Sequence, residues 1–274
     1  MLVVLATIML LAAVTMPVFR AARESARRTT CFSNFRQVAV AAQIYLGDYE
    51  DRYMPVNHRP GHTGPPGEDL SWVQVVMPYV KSFSVFKCPS DFGRKRGSEG
   101  VFDGDLVMSD TDVRFFLASQ RVNVGYNHQY LSPVIRSQGQ WVSVPRYATQ
   151  VSEPSRTLQF VDSVWEVDTQ NKPMGGGRWI VAPPCRYEVR NGARLDTFAA
   201  EGVAWSPDSG WGGLGKGRLP YGGVWAWHSE RVTGLRLDTS AKSYTIRALT
   251  AGCTGESNWQ GLISNPDDYI WDLR

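Results

Sequence analysis

Residues 1–19, MLVVLATIMLLAAVTMPVF, carry no charge, and only Thr7, Thr15 and Pro17 interrupt the apolar run. At about 1.5 Å per residue such a helix spans roughly 28 Å, close to the thickness of a bilayer's hydrocarbon core. Helix is the expected state, because in lipid every backbone polar group must find its partner within the segment. Pro17 has no N–H to give and predicts a kink near the exit. From residue 20 the pattern changes without a helix breaker. Arg20, Arg23, Arg27 and Arg28 form a basic collar beside Glu24. Beyond it Cys31, Phe35, Val38, Ala42, Tyr45 and Tyr49 recur at steps of four and three, one face of an amphipathic helix, with Arg36, Gln37, Gln43 and Asp48 on other sides. Gly47 is the weak position before Pro55 stops the run. The spacing predicts one continuous helix from residue 1 to about 50, roughly 75 Å long. Its first half (Leu2, Val3, Leu5, Ile8, Leu11, Val14, Pro17, Phe19) is apolar all round and is the candidate assembly surface. Its second half offers a stripe for a folded body to cover.

Three other readings of the run are weaker. A cleaved secretory signal normally has a basic start and a shorter apolar core, whereas here no charge precedes the run and the helical pattern continues past it. A plain signal anchor joined to an unrelated soluble domain does not explain that continuity. A buried soluble helix rarely presents nineteen uncharged residues on every face. Taken alone, the collar arginines would place the body on the cytoplasmic side.

The remainder divides the chain into residues 1–55, the helix, and 56–274, a globular head. Residues 56–69 (VNHRPGHTGPPGED) predict a loop, and Leu70 to Phe86 a short helix that Pro78 interrupts. Residues 91–112 are charged and Gly-rich, hence exposed. Strands are expected at 113–117, 121–126, 157–162, 178–182, 231–237 and 242–248. Frequent turns without strand–helix alternation predict an antiparallel sheet, packed on the stripe of the helix. From Lys172 to Trp227, glycines interleave with Trp205, Trp211, Trp225 and Trp227, which predicts an inserted lobe. Exposed tryptophans there would stack on sugars or partner surfaces, but core aromatics are the favoured reading.

Composition agrees with a loop-rich, β-containing head: 26 Gly, 16 Pro and 10 Trp. A formal net charge of +3, with no basic block carrying aromatics after residue 30, argues against nucleic acid as a partner. The four cysteines, Cys31, Cys88, Cys185 and Cys253, have no CxxC spacing and no histidine clustered with them in sequence, so zinc is not expected. Well-separated cysteines beyond a membrane segment fit disulfides in an oxidising compartment, with buried free thiols as the alternative. Four cysteines allow three pairings. Cys31 lies on the helix stripe and Cys88 follows the apolar segment expected to cover it. The proposed pairing is therefore Cys31–Cys88, contributing roughly 3–4 kcal/mol by loop entropy, with Cys185–Cys253 pinning the lobe to the C-terminus.

No nucleophile elbow, P-loop, HExxH or Rossmann fingerprint is present, and Gly175–Gly177 lacks the strand and Lys of a phosphate cradle. The expectation is no enzyme and no cofactor. His228 and Asp238 suit opposite ends of one strand, so a shared catalytic role is not expected. Their expected roles are structural: the His bonding a loop, the Asp opening a turn.

The first 55 residues resemble the N-terminal region of type IV pilin-like proteins, and more narrowly a pseudopilin-like group abundant in planctomycetes. The likeness rests on Pro17-Val18-Phe19 with the following Ala-Arg pairs, on Cys31, Ser33, Asn34 and Gln37, and on Tyr45, Asp48, Tyr49, Asp51 and Pro55. Phe86-Lys87-Cys88-Pro89-Ser90-Asp91 is similar to that group's "CPSD" element, and Gly125-Tyr126-Asn127 to its "S-Y-x-x-N". Pro154 through Thr157 to Asp162-Ser163 resembles its "P-x-x-T-x-x-x-x-D-S", and His228 with Asp238 its "H-x9-D-G". The basic leader, Gly–Phe cleavage point and early Glu of pilin-like precursors are not in the sequence, which opens with the apolar run under way. Cleavage, N-methylation and Glu-guided assembly are therefore not carried over. Thr239 replaces the expected Gly, so another turn type is expected there.

The resemblance implies an α+β pilin-like fold and a structural subunit of a pilus or a type II secretion pseudopilus. It would be anchored once in the inner membrane, with its head in the periplasm or outside the cell. Implied partners are itself, other pilin-like subunits and the lipid bilayer. The alternative is a membrane-anchored module whose Trp-rich head grips polysaccharide, a partner protein or secreted cargo. Because some pseudopilins hold calcium in a C-terminal loop, Asp267, Asp268 and Asp272 are candidate ligands. Asp103, Asp105, Asp110 and Asp112 form a second cluster, for which a solvated loop is the plainer reading.

Overall fold

The apolar run and the amphipathic stripe form one helix, α1 (Leu2–Asp48), which continues through Pro17. The computed structural model describes residues 2–58, 70–92, 112–137, 140–197, 220–254 and 261–274. Helix α1 stops at Asp48, and Glu50 and Asp51 turn the chain in left-handed backbone conformation. The predicted stripe is buried at Cys31, Phe35, Val38, Ala42 and Tyr45, with Ala39 and Ala41 beside them. Tyr49 departs from the expectation. It lies past the helix end, half-exposed, with its ring stacked 4.1 Å from that of Tyr45.

In chain order α1 is followed by strands β1 (Asn57–His58) and β2 (Leu70–Ser71) and helix α2 (Trp72–Val76). Ser71 caps α2 reciprocally with Gln74, and at Pro78 the chain tightens into the 3₁₀ turn Met77–Tyr79, as the proline predicts. Next come helix α3 (Asp112–Ser119), strand β3 (Val124–Tyr126), helix α4 (His128–Leu131), the hairpin β4 (Val134–Ser137) and β5 (Gln140–Ser143), and strand β6 (Leu158–Asp162). Strands β7 (Cys185–Arg190), β8 (Ala193–Asp196), β9 (Val232–Arg236) and β10 (Ala241–Tyr244), helix α5 (Ile246–Leu249) and strand β11 (Gly261–Ile263) complete the set.

The central sheet has the order β10-β9-β6-β3 and is antiparallel throughout. Helix α1 lies across one of its faces, touching β9, β10, α2 and the 3₁₀ turn Phe83–Phe86. This is the expected α+β pilin-like arrangement. Between helix and sheet sits a fully buried aromatic knot, with Trp72 4.9 Å from Phe160, 5.7 Å from Tyr126 and 5.9 Å from Phe86. The indole N–H of Trp72 donates to the Trp179 carbonyl (2.6 Å), which meets the polar end of a ring that has no access to water. Gln43 ties α1 to the Leu237 carbonyl at 3.0 Å, and Tyr79 donates to Asp48 at 2.7 Å. A second apolar layer of Leu158, Val161, Val232, Tyr244, Tyr269 and Trp271 packs elsewhere in the head.

Three expected strands differ. Residues 113–117 are helical, because Phe115 and Ala118 bury one side at a spacing of three while Arg114 and Leu117 stay exposed. Residues 178–182 make only the isolated parallel bridge Tyr126↔Ile180. The last strand ends at Tyr244, where Thr245 caps α5 through the Ala248 N–H. In the β9–β10 turn, Asp238 accepts from the Ser240 N–H and hydroxyl as expected. Thr239, however, takes the left-handed conformation (φ 67°) for which another turn type was expected, so the turn keeps its glycine-type geometry without the glycine.

Within the span expected to form a lobe, β7 and β8 join β11 in a three-stranded sheet of order β11-β7-β8. Trp179 and Trp227 are buried and Trp225 is packed on the core, as the core-aromatic reading expects. Trp205, Trp211 and the acidic residues Asp103, Asp105 and Asp110 lie outside the described residues.

Burial of His128 beside the Arg178 guanidinium pushes its imidazole down to about 3, so it folds neutral. A group depressed in this way contributes stability that is full above its unfolded value of about 6.5 and is lost as the pH falls toward 3. By pH 5 the loss is about 2 kcal/mol, and the pH slope of unfolding should flatten in His128→Gln. Denaturant titrations of both proteins between pH 7 and pH 5 check this. Equal slopes would contradict it.

Candidate functional site

The first feature with functional meaning is where α1 leaves the head. From Val3 to Arg23 every residue of the helix is exposed, including Val3, Leu5, Ile8, Leu11, Val14, Pro17 and Phe19. Among the described residues this is the helix long and apolar enough to cross a membrane. Arg23 folds its guanidinium over the Phe19 ring and Arg27 pairs with Glu24, so the collar closes the apolar stretch on the head side.

Head contacts begin at Glu24, and there the second feature lies. Glu24 and Cys31 are two helical turns apart on α1 and therefore share a face. The other members come from distant parts of the chain. Cys88 and Ser90 sit in the loop after the 3₁₀ turn Phe83–Phe86, Asp162 ends β6, Thr233 lies in β9, and His228 opens the turn before β9. Cys31 Sγ is 3.6 Å from Asp162 Oδ1 and 3.7 Å from Thr233 Oγ1. Cys88 Sγ is 3.4 Å from His228 Nε2. On the other edge of the ring, His228 Nδ1 lies 2.8 Å from Glu24 Oε1. The Ser90 hydroxyl donates to both oxygens of the same carboxylate. The ligand atoms of Cys31, Cys88 and His228 all lie within 4.8 Å of one another, and all three residues are buried.

The surrounding backbone fixes each member. Thr233 N–H donates to Asp162 Oδ2 at 2.6 Å and turns Oδ1 toward Cys31. Cys88 N–H donates to Asn123 Oδ1, Asn123 Nδ2 donates to Asp91, and Gly176 N–H donates to the same Asp91 oxygen, each at 2.8 Å. His228 is held by a two-residue reversal whose central residues, Ser229 and Glu230, both adopt positive φ without being glycine. Such a backbone persists only where its surroundings determine it.

The electrostatics follow from burial and proximity. Burial, with the Cys88 charge adding, pushes Asp162 up to about 8. The hydrogen bond to Cys88, then burial and Asp162, hold Cys31 far above the ordinary thiol range. Burial opposes ionisation of Cys88, but its hydrogen bonds to Cys31 and His228 outweigh that and bring it to about 6. Burial likewise opposes charge on His228, while Cys88, Asp162 and Glu24 raise it to about 9. Protons and charge are thus concentrated in a space closed to water.

Several sequence expectations are corrected here. Cys31 and Cys88 do meet, but as free buried thiols instead of a disulfide, each engaged by a polar neighbour. Cys185–Cys253 is bridged as expected. His228 was not grouped with the cysteines in sequence, yet folding across 140 residues puts it against Cys88. It does not contact Asp238, in line with their placement at opposite ends of β9. The proposed calcium ligands do not converge. Asp272 is buried between Arg156 and Arg274, while Asp268 accepts from Asn265. Asp112 opens α3, and Glu24 and Asp162, which the sequence places only beside the collar and in a family-like element, were not expected at a site.

Residues 20–82 match a family described as a protein of unknown function (DUF1559). The matched stretch runs from the collar through the apolar segment of α2 and includes Glu24 and Cys31, but neither Cys88 nor His228. No curated protein and no solved structure matches the chain.

Proposed function

We propose that this chain is a structural, pseudopilin-like subunit, anchored once in a bacterial inner membrane and assembling through α1 with copies of itself or with other pilin-like subunits. The observation that carries this reading is the division of a single helix. Residues 3–23 are exposed and largely apolar on all sides, while residues from Glu24 onward are fastened to the head. About 30 Å of such surface is stable only in lipid or against other apolar helices. A rod joined rigidly to its head transmits the position of one subunit to the next, which is what a filament requires. The Cys185–Cys253 bridge favours an oxidising compartment for the head and outweighs the orientation suggested by the collar arginines.

A photo-crosslinking residue placed at Leu11 tests this. The full chain should remain in the membrane after alkaline extraction and give a ladder of crosslinked multimers, whereas the same probe at Arg247 in the head should not. Leu11→Arg, near the middle of the span, should disfavour insertion by about 3 kcal/mol and move much of the chain to the soluble fraction. A mature protein whose N-terminus lies beyond residue 23, found soluble and monomeric, would instead make the helix a signal sequence and end the proposal.

A further inference from the structure

We propose that Cys31, Cys88 and His228 are ligands of a structural metal ion of the Zn²⁺ class, stapling α1 to the head where the helix leaves it. With bonds of about 2.3 Å to sulfur and about 2.0–2.2 Å to nitrogen or oxygen, ligands at tetrahedral angles lie about 3.6 Å apart. Cys88 Sγ and His228 Nε2 are 3.4 Å apart. The two sulfurs and the imidazole nitrogen all lie within 4.8 Å of one another, a small side-chain adjustment from that spacing.

The chemistry of the donors agrees. Two thiolates and an imidazole select a thiophilic ion over Ca²⁺ or Mg²⁺. The surrounding contacts are those such a ligand set needs. His228 presents Nδ1 to the Glu24 carboxylate, which fixes the ring and leaves Nε2 facing the thiols. Asp162 has one oxygen occupied by the Thr233 N–H and the other directed at Cys31. Cys31, Cys88 and His228 are each at most 2% exposed, so the three donors converge in the interior, as they do in a structural site. On binding, both thiols ligate as thiolates and their protons leave to solvent. The ion replaces proton-mediated contacts among buried polar groups with direct bonds, joining α1, the Cys88 loop and the turn before β9.

The test uses the full chain, purified in detergent from the exported fraction without chelator. Elemental analysis should find about one Zn²⁺ per chain. After exchange with Co²⁺, the protein should show tetrahedral ligand-field bands and sulfur-to-cobalt charge transfer. Cys31→Ser and Cys88→Ser should each reduce the charge transfer about two-fold, since each leaves one thiolate. Glu24→Gln, a change on a partly exposed residue that leaves the ligands intact, should weaken Zn²⁺ affinity by about 10–100-fold while keeping both thiolate contributions. A Cys31–Cys88 disulfide recovered by non-reducing peptide mapping would overturn the proposal. So would reduced protein that takes up no Co²⁺, or cobalt bands unchanged by both serine variants. Membrane assembly does not enter any of these readouts, so this proposal and the assembly reading can fail separately.

Discussion

Gly177→Ala should cost the fold more than about 4 kcal/mol, a size reached only where a substitution forces backbone apart. A Cβ at this position would lie 2.1 Å from the Val122 carbonyl oxygen and 2.2 Å from the Asn123 Cα. Both obstacles are main chain, and neither can turn aside as a side chain would. Gly177 N–H also donates to the Arg121 carbonyl at 2.9 Å, so the two strands of chain are locked at this separation. Asn123, the residue that would be displaced, fixes the Cys88 N–H and Asp91 through its side chain. The same methyl group should therefore disturb the Cys88 loop as well as the core. In thermal unfolding of the detergent-solubilised chain, the midpoint should fall by about 10 °C or more, or the protein should fail to accumulate. Gly192→Ala is the matched control. Its backbone, unlike that of Gly177, is left-handed (φ +77), but a Cβ there meets nothing within 4 Å, so only about 1–2 kcal/mol of backbone strain is expected. Equal midpoints for the two variants would show that close backbone approach is not what Gly177 provides.

The α+β plan was legible because α1 announces itself in one dimension. An uncharged run followed by a stripe at steps of four and three has one physical solution, and Cys31, Phe35, Val38, Ala42 and Tyr45 are buried as that solution requires. Strands β6 and β9 were legible for the same local reason. Residues 113–117 misled, because a short stretch of β-branched and aromatic residues reads equally as strand or buried helix until its neighbours are known. The cluster at the helix exit was illegible for another reason. Its members are Glu24, Cys31, Cys88, Asp162 and His228, and no two of the last four are close in sequence. Only the pairing of β6 with β9, and the packing of α1 on them, brings these groups together. A signal did exist. Cys31, Cys88, Asp162 and His228 each came from a different short element that resembled the same group, and treating those elements as one spatial site would have placed His228 with the cysteines.

Removing the Cys185–Cys253 bridge should cost about 4 kcal/mol, from loop entropy alone, because it closes a separation of 68 residues. The bridge ties the start of β7 to the segment just before β11. Cys185 opens β7, which pairs in parallel with β11 across Cys185↔Gly261, and Cys253 forms a bridge to Ile263 on the same strand. Parallel pairing brings together ends far apart in sequence, so these contacts form only after a long loop has closed. The C-terminal segment leans on the result. Tyr269 donates to the Cys185 carbonyl at 3.2 Å, and the Trp271 indole donates to the Leu249 carbonyl at 2.8 Å. The Cys185→Ala/Cys253→Ala chain should therefore exchange amide hydrogens faster first in β7, β8 and β11, while β6 and β9 keep protection until global unfolding. That order matters for the assembly reading, because β9 and α1 form the junction between rod and head. If the loss were local, the double variant would still anchor and crosslink through Leu11 while its C-terminal lobe became sensitive to protease. Uniform acceleration across β6, β9 and β11 would show instead that the bridge holds the whole head as one cooperative unit, and assembly should then fail together with it.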